Sequence, residues 1–325
     1  MAVYTRIGAE TMAAIIAEFD VGALVSAKGI AEGVSNSNWL IETEGRNGQG
    51  ARFILTVYEE RTDTADLPFF LGLLDHLAEH GCPVPRTIHD RANQAFRHHE
   101  GKALALIEFL PGVSVSEPTP AQAEAVGQAL ARVHLAAASF PGLRANGMGL
   151  GAWRQLATAC SREGLDGIHP ELGGLVEREL ALLERRWPTD LPVSVIHADL
   201  FPDNVLMRGA QVTGLIDFYF ACTDIIAYDV AVTHTAWCFD ATGQRFLPEL
   251  SRTLLAGYQA VRPLSGAERA ALPLLARGAA MRFLMTRAYD WMNTPADALV
   301  TRKDPMAFAR RLEFHADPAN AGIFA

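Results

Sequence analysis

Residues 195–207, VIHADLFPDNVLM, run an apolar segment straight into a His, two Asp, an Asn and a Pro. The stretch GLIDFYF at 214–220 follows with a lone Asp217. Val195, Ile196, Val205, Leu206, Leu215 and Ile216 read as short β segments bound for a core. Carboxylates beside such segments cost roughly several kcal/mol each unless something pairs with them. The fold must therefore bring partners to this stretch.

Phosphoryl transfer from ATP supplies a chemical reason for the set. It needs a carboxylate beside the attacking hydroxyl and hard oxygen ligands for the magnesium that bridges the phosphates. Asp199 on a loop, Asn204 five residues on and Asp217 thirteen further on meet that need if a β-hairpin joins them at one end of the short strands. Taken singly, each residue reads as a polar turn or a capped strand end. The ordered set His-x-Asp-x-x-x-x-Asn followed by Ile-Asp-Phe is poorly explained that way.

The rest of the chain divides into two patterns. Before Pro111 it reads as β-rich with helical insertions. A helix is expected over 9–19, from Met12, Ile15, Ile16 and Phe19, and an amphipathic helix over 67–81, stopping at Gly81 ahead of Pro83. Strands are expected around the polar turn of 29–45, over 50–60 and over 102–112, with a hairpin turn at 46–48. From Pro111 the pattern is helical, beginning with a Thr-capped, Pro-started helix over 119–137. The expected division is 1–110 and 111–325.

A net charge of −9 argues against nonspecific nucleic-acid binding. Cys82, Cys160, Cys222 and Cys238 are too scattered for a zinc site or disulfide framework, so reduced thiols are expected. There is no run of 18 apolar residues and no signal-peptide pattern, so the expectation is a soluble cytoplasmic protein with small-molecule partners and no membrane.

HADLFPDN followed by LIDF resembles the catalytic loop and metal motif of the aminoglycoside phosphotransferase and choline kinase superfamily, relatives of protein kinases. The longer segments KGIAEGVSNSNWLIET, DLPFFLGLLDHLAEHG, GLIDFYFACTDIIAYDVA, AWCFD and MRFLMTRAYDW resemble the bacterial homoserine kinases of that fold, across residues 28–291, and KDPMAFARRLEFH at 303–315 fits as well. The resemblance implies an α+β, protein-kinase-like two-lobe fold with ATP in the cleft, and phosphorylation of homoserine on the way to threonine. It implies Asp199 as catalytic base, Asn204 and Asp217 as Mg2+ ligands, His197 as a supporting histidine and Asp229 as a brace for the loop. The turn containing Gly33, Ser35, Asn36, Ser37 and Asn38 takes the position of the phosphate-covering loop, and the backbone of Glu108, Phe109 and Leu110 that of the adenine-binding hinge.

One departure stands out. The third strand of such kinases carries a phosphate-binding Lys paired with a helix Glu, whereas here Thr56 occupies the Lys position and the following helix offers no Glu. Arg52, Arg61 or further magnesium are the candidates for neutralising the phosphates. For the acceptor, a zwitterion asks for an Arg at its carboxylate. In the helical stretch 276–292, Arg282 is the expected clamp, with Thr286 on its face, while Arg287 and Asp290 are expected to form an ion pair. Tyr219 is a candidate pocket residue. His134, with apolar neighbours, reads as a satisfied core histidine.

Other superfamily kinases, acting on choline, methylthioribose or an aminoglycoside, are the nearest alternative. A protein kinase fits less well, since there is no Gly-x-Gly-x-x-Gly loop, strand Lys or Ala-Pro-Glu. GMGLGA at 147–152 matches a dehydrogenase fingerprint but follows no apolar strand. A catalytically dead binding module is disfavoured by the intact Asp199, Asn204 and Asp217, though the missing Lys keeps it open.

Overall fold

Two units, Met1–Pro111 and Gly112–Ala325, meet in sequence at a Pro-Gly step. The structure, a computed structural model, describes residues 5–30, 36–45, 47–59, 63–294 and 302–324. The first unit contains α1 (Ala9–Ala17), β1 (Ala23–Gly29), β2 (Ser37–Glu44), β3 (Gly50–Val57), α2 (Leu67–Glu79), β4 (Thr87–Ile88), β5 (Arg97–His99) and β6 (Lys102–Glu108). Its strands form one antiparallel sheet in the order β1-β2-β3-β6-β4, with β5 also paired to β6. Alternation along the strands sends Leu55, Val57, Leu104 and Leu106 to one face, where Met12, Ile15, Ile16 and Phe19 cover them. The β2–β3 turn contains Gly48 at φ 73, a conformation in which a Cβ is penalised. In α2, Leu67, Phe70, Leu71, Leu74 and Leu77 recur at helical spacing and are buried.

β1 begins at Ala23, upstream of the strand read from the sequence. It is a sheet-edge strand exposed at most positions, so no alternation of apolar and polar residues announces it. β4 and β5 are two and three residues long, too short to carry a period.

The second unit contains α3 (Pro120–Ala137), α4 (Leu150–Cys160), α5 (Arg162–Ile168), α6 (Leu172–Arg186), β7 (Val193–Ile196), β8 (Val205–Arg208), β9 (Gln211–Leu215), β10 (Cys222–Ile225), α7 (Ile226–Trp237), α8 (Pro248–Val261), α9 (Gly266–Asn293) and α10 (Met306–Ala316). Two short antiparallel ladders, β7–β10 and β8–β9, carry the polar stretch described above. Thr119 and Gln122 close a capping box at the start of α3. All twelve residues of α7 are buried, so its polar members Asp229, Thr233, His234 and Thr235 sit inside protein. The four cysteines are buried, and none of them forms a disulfide. Among the described residues no helix is long and apolar enough to cross a membrane.

α3 and α8 approach through glycine at both crossing points. A Cβ on Gly127 would lie 2.1 Å from the Leu254 carbonyl oxygen, and one on Gly257 2.1 Å from that of Glu124. Because both obstacles are backbone, the helices must part to admit a methyl group. Gly127→Ala is therefore expected to destabilise by about 1–3 kcal/mol, seen as a lower urea midpoint at unchanged slope. An unchanged midpoint would show that the pair separates without loss.

Candidate active site

The loop between β7 and β8 holds His197, Asp199 and Asn204, and its backbone is fixed from several sides. Ala198 adopts φ 63, a left-handed conformation that an alanine keeps only when its surroundings enforce it. The Asp229 carboxylate, on α7, accepts from the His197 N–H at 2.8 Å and the Ala198 N–H at 2.7 Å. Arg282 Nη1, on α9, donates to the Ala198 carbonyl. Trp237 Nε1 donates to the Leu200 carbonyl at 2.9 Å.

His197 is fully buried, and burial pushes its pKa down. Its Nδ1 accepts from the Asp199 N–H at 3.2 Å, so the neutral ring carries its proton on Nε2, which faces the Ile216 carbonyl at 3.0 Å. Both nitrogens are engaged within the protein, and the ring acts as a strut between the loop and the end of β9. Asp229 in turn meets His134 Nε2 at 3.0 Å, and His134 Nδ1 meets the Tyr258 hydroxyl at 2.8 Å. The buried chain Tyr258–His134–Asp229 therefore supports the loop from below. Tyr258 carried no recognisable signal in the sequence; Trp237 lay in the AWCFD segment of the resemblance without an assigned role, and His134 was read as a core histidine.

Asn204 Nδ2 donates to the Asp199 carbonyl at 2.8 Å and lies 3.3 Å from Asp199 Oδ2. The Asn204 carbonyl accepts from the Ile216 N–H at 3.0 Å, and Val205 pairs with Leu215, so the hairpin brings Asp217 to the end that holds Asp199. Asp217 sits at φ 65, one of the few non-glycine types that tolerates that region. Burial pushes Asp199 up to about 7, with Arg282 opposing and Asp217 and Asp203 adding to the rise. Asp217 is raised to about 6, first by the surrounding protein and then by Asp203, against Lys303. The Asp217 residue itself is solvent-exposed, so protein crowds this carboxylate while leaving it reachable.

Arg282 requires a correction. Expected to clamp an acceptor carboxylate, it is 1% exposed, committed to the Ala198 carbonyl, and lies over the Phe220 and Phe283 rings. A guanidinium so enclosed supports the loop from inside the unit and is not presented to a solvent-borne ligand. Tyr219 is half-buried in the short 3-10 turn Phe218–Phe220 that follows Asp217. Arg287, expected to pair with Asp290, instead stacks on Phe308 at 4.4 Å and donates to the Asp304 carbonyl at 3.3 Å.

In the first unit, Gly33, Ser35 and Arg61 lie outside the described residues. Asn36 and Ser37 are buried and turned to Glu59: Ser37 Oγ donates to Glu59 Oε1 at 2.6 Å and Asn36 Oδ1 accepts from the Glu59 N–H at 3.2 Å. Lys102 completes this cluster with an ion pair to Glu59 at 2.5 Å. Thr56 Oγ1 donates to Asn38 Oδ1 at 2.8 Å across β2–β3, so a neutral hydrogen bond stands where the resemblance places a lysine. Arg52 is occupied by Glu42 at 3.4 Å and lies over Phe109. At the end of β6 the Glu108 N–H is taken by the Arg86 carbonyl, and Phe109 and Leu110 follow outside regular structure.

A β-rich unit and a helical unit, the latter holding a carboxylate loop beside a second carboxylate on a hairpin, define a kinase-like phosphotransferase. Residues 26–264 match the model described as the phosphotransferase enzyme family, and the chain belongs to that family. Over 321 residues, 99% of this chain and 98% of the relative, it is 50% identical to the homoserine kinase of Azorhizobium caulinodans. It is likewise 50% identical, over 324 residues, to the homoserine kinase of Phenylobacterium zucineum, covering 100% of this chain and 98% of that one. Its fold is similar to that of an amicoumacin kinase in complex with AMP-PNP and Ca2+, with a TM-score of 0.69 at 16% identity over 95% of this chain and 94% of that one.

Proposed function

We propose that this chain transfers the γ-phosphoryl group of ATP to the side-chain hydroxyl of L-homoserine, giving O-phospho-L-homoserine and ADP. The observation that carries this reading is 50% identity to homoserine kinases over essentially the whole length of both chains. A cytoplasmic step towards threonine is the setting that fits such a product.

Asp199 is the base. A carboxylate with a pKa of about 7 is matched to taking a proton near neutral pH. As the homoserine oxygen attacks the γ-phosphorus, its proton passes to Asp199, the bond from phosphorus to the β–γ bridging oxygen breaks, and ADP leaves. The loop contacts to Asp229, Arg282, Trp237 and His197 keep Asp199 in place, and such positioning is the main protein contribution in phosphoryl transfer.

The residues present fit a magnesium ion. With Nδ2 given to Asp199, Asn204 has its Oδ1 left for a cation, and the exposed Asp217 carboxylate adds a second hard oxygen donor. Among the described residues no group of three or more His, Cys, Asp and Glu is placed to hold a metal, so phosphate oxygens and water would complete the sphere. The ion would neutralise charge on the β- and γ-phosphates. In the first unit, the main chain of Phe109 and Leu110 is the edge offered to adenine.

ADP release from ATP and Mg2+ tests the reading, with L-homoserine compared against L-serine, choline, methylthioribose and an aminoglycoside. Saturable turnover on homoserine above the others is expected. Turnover on a different acceptor would replace the substrate, and ATP binding without turnover on any would point to a binding module.

A further inference from the structure

Several arginines of the second unit are spent on carboxylates, and three others ring one aromatic cluster. Arg277 holds Glu179 through two bonds of 2.8 Å, Arg262 holds Glu268 at 2.8 Å, and Arg154 holds Glu184 at 2.8 and 2.6 Å. Arg282, Arg287 and Arg311 form no ion pair with a carboxylate among the described residues, and all three surround the aromatic cluster Phe283–Phe308. Arg282 and Arg311 are 1% and 4% exposed and donate to the backbone carbonyls of Ala198 and Asp240. Arg287 is the partly exposed member of the three.

The position of Arg287 is set by rings that also carry the catalytic loop. Its guanidinium lies 4.4 Å from the Phe308 centroid; Phe308 packs on Phe283 at 5.2 Å, and Phe201, two residues after Asp199, packs on Phe283 at 4.7 Å and on Phe308 at 6.1 Å. Among the described residues, only Nη1 of its five N–H donors meets a protein acceptor, the Asp304 carbonyl at 3.3 Å. The Asp304 carboxylate is taken by Arg310 at 3.7 Å. Burial lowers the Arg287 pKa to about 10 while Asp203, Asp304 and Asp199 oppose, so the group stays charged at neutral pH and within electrostatic reach of the candidate base. A planar fork with unused donors, stacked on a ring and fixed relative to Asp199, matches a bidentate carboxylate.

Resting on the proposed function, we infer that Arg287 binds the α-carboxylate of the acceptor amino acid and so makes the enzyme select an amino acid over an amino alcohol. Lys303 is the competing cation: it is 64% exposed and sits 3.7 Å from Asp203. Its long flexible stem makes it a point charge without a fixed orientation.

The test compares L-homoserine with 3-aminopropan-1-ol, which keeps the hydroxyl and amine but lacks the carboxylate. Wild type, Arg287→Met, Arg287→Lys and Lys303→Met are assayed with saturating ATP and Mg2+. Arg287→Met is expected to raise the homoserine KM and collapse the kcat/KM preference for homoserine by roughly 10²-fold, leaving the KM for ATP and the aminopropanol rate within about threefold. Arg287→Lys retains charge without the fork and falls between, and it carries the test if the Met variant does not fold. An equal loss on both acceptors, an unchanged preference, or a collapse seen in Lys303→Met instead would overturn the assignment while homoserine kinase activity stands. A wild type that does not phosphorylate homoserine would overturn both.

Discussion

Asp199→Asn is expected to lower turnover on homoserine by about 10²- to 10⁴-fold with little change in ATP affinity. The amide keeps the size and hydrogen-bonding reach of the carboxylate, so the Asn204 contact at 3.3 Å survives in kind. What disappears is a group able to hold the hydroxyl proton. Rapid-quench kinetics and calorimetric ATP titration separate the two quantities. Turnover close to wild type would remove Asp199 from the base role, and a matching loss of ATP affinity would make it a nucleotide ligand.

Asp229→Asn is expected to be the most damaging single change to the fold. Asp229 is fully buried, and its two oxygens serve the His197 N–H, the Ala198 N–H and His134 Nε2. Burial, the largest influence, raises its pKa, but the His134 contact, the electrostatic influence of the His134 and His197 rings and the His197 N–H together hold it below the ordinary carboxylate value. An amide turns one acceptor into a donor facing other donors and removes the charge, for an expected loss of roughly 3–5 kcal/mol. Because the folded pKa lies below the unfolded one, the charge stabilises the protein above the unfolded value of about 3.9, and that contribution fades as pH falls through the folded pKa. The gap between wild type and variant should therefore narrow below about pH 4. Urea unfolding at neutral and acid pH measures both; a loss under about 1 kcal/mol at pH 7 would show that the loop carries its own left-handed Ala198 without this brace.

The residues that meet at this site were legible in the sequence because chemistry restricts their type and spacing: His197, Asp199, Asn204 and Asp217 lie within one strand–loop–hairpin stretch. Helices were legible where one face is apolar, as in α1 and α2, or where a cap is spelled out, as at Thr119. β1 was not, because an exposed edge strand has no face to pattern. Nor could the sequence tell Arg282 from Arg287. Both stand on α9, and which one turns to the Ala198 carbonyl depends on how α9 packs against α7 and α10. The Gly127–Gly257 crossing joins residues far apart in the chain, and single glycines in helices carry no sign of what they approach.

The most direct measurement is identification of the product formed from L-homoserine, ATP and Mg2+ by phosphorus NMR and mass spectrometry. A phosphomonoester on the side-chain oxygen, formed one for one with ADP and absent with Asp199→Asn, is the predicted result. Release of inorganic phosphate with homoserine unchanged, or the phosphoryl group found on another acceptor in preference, would contradict it.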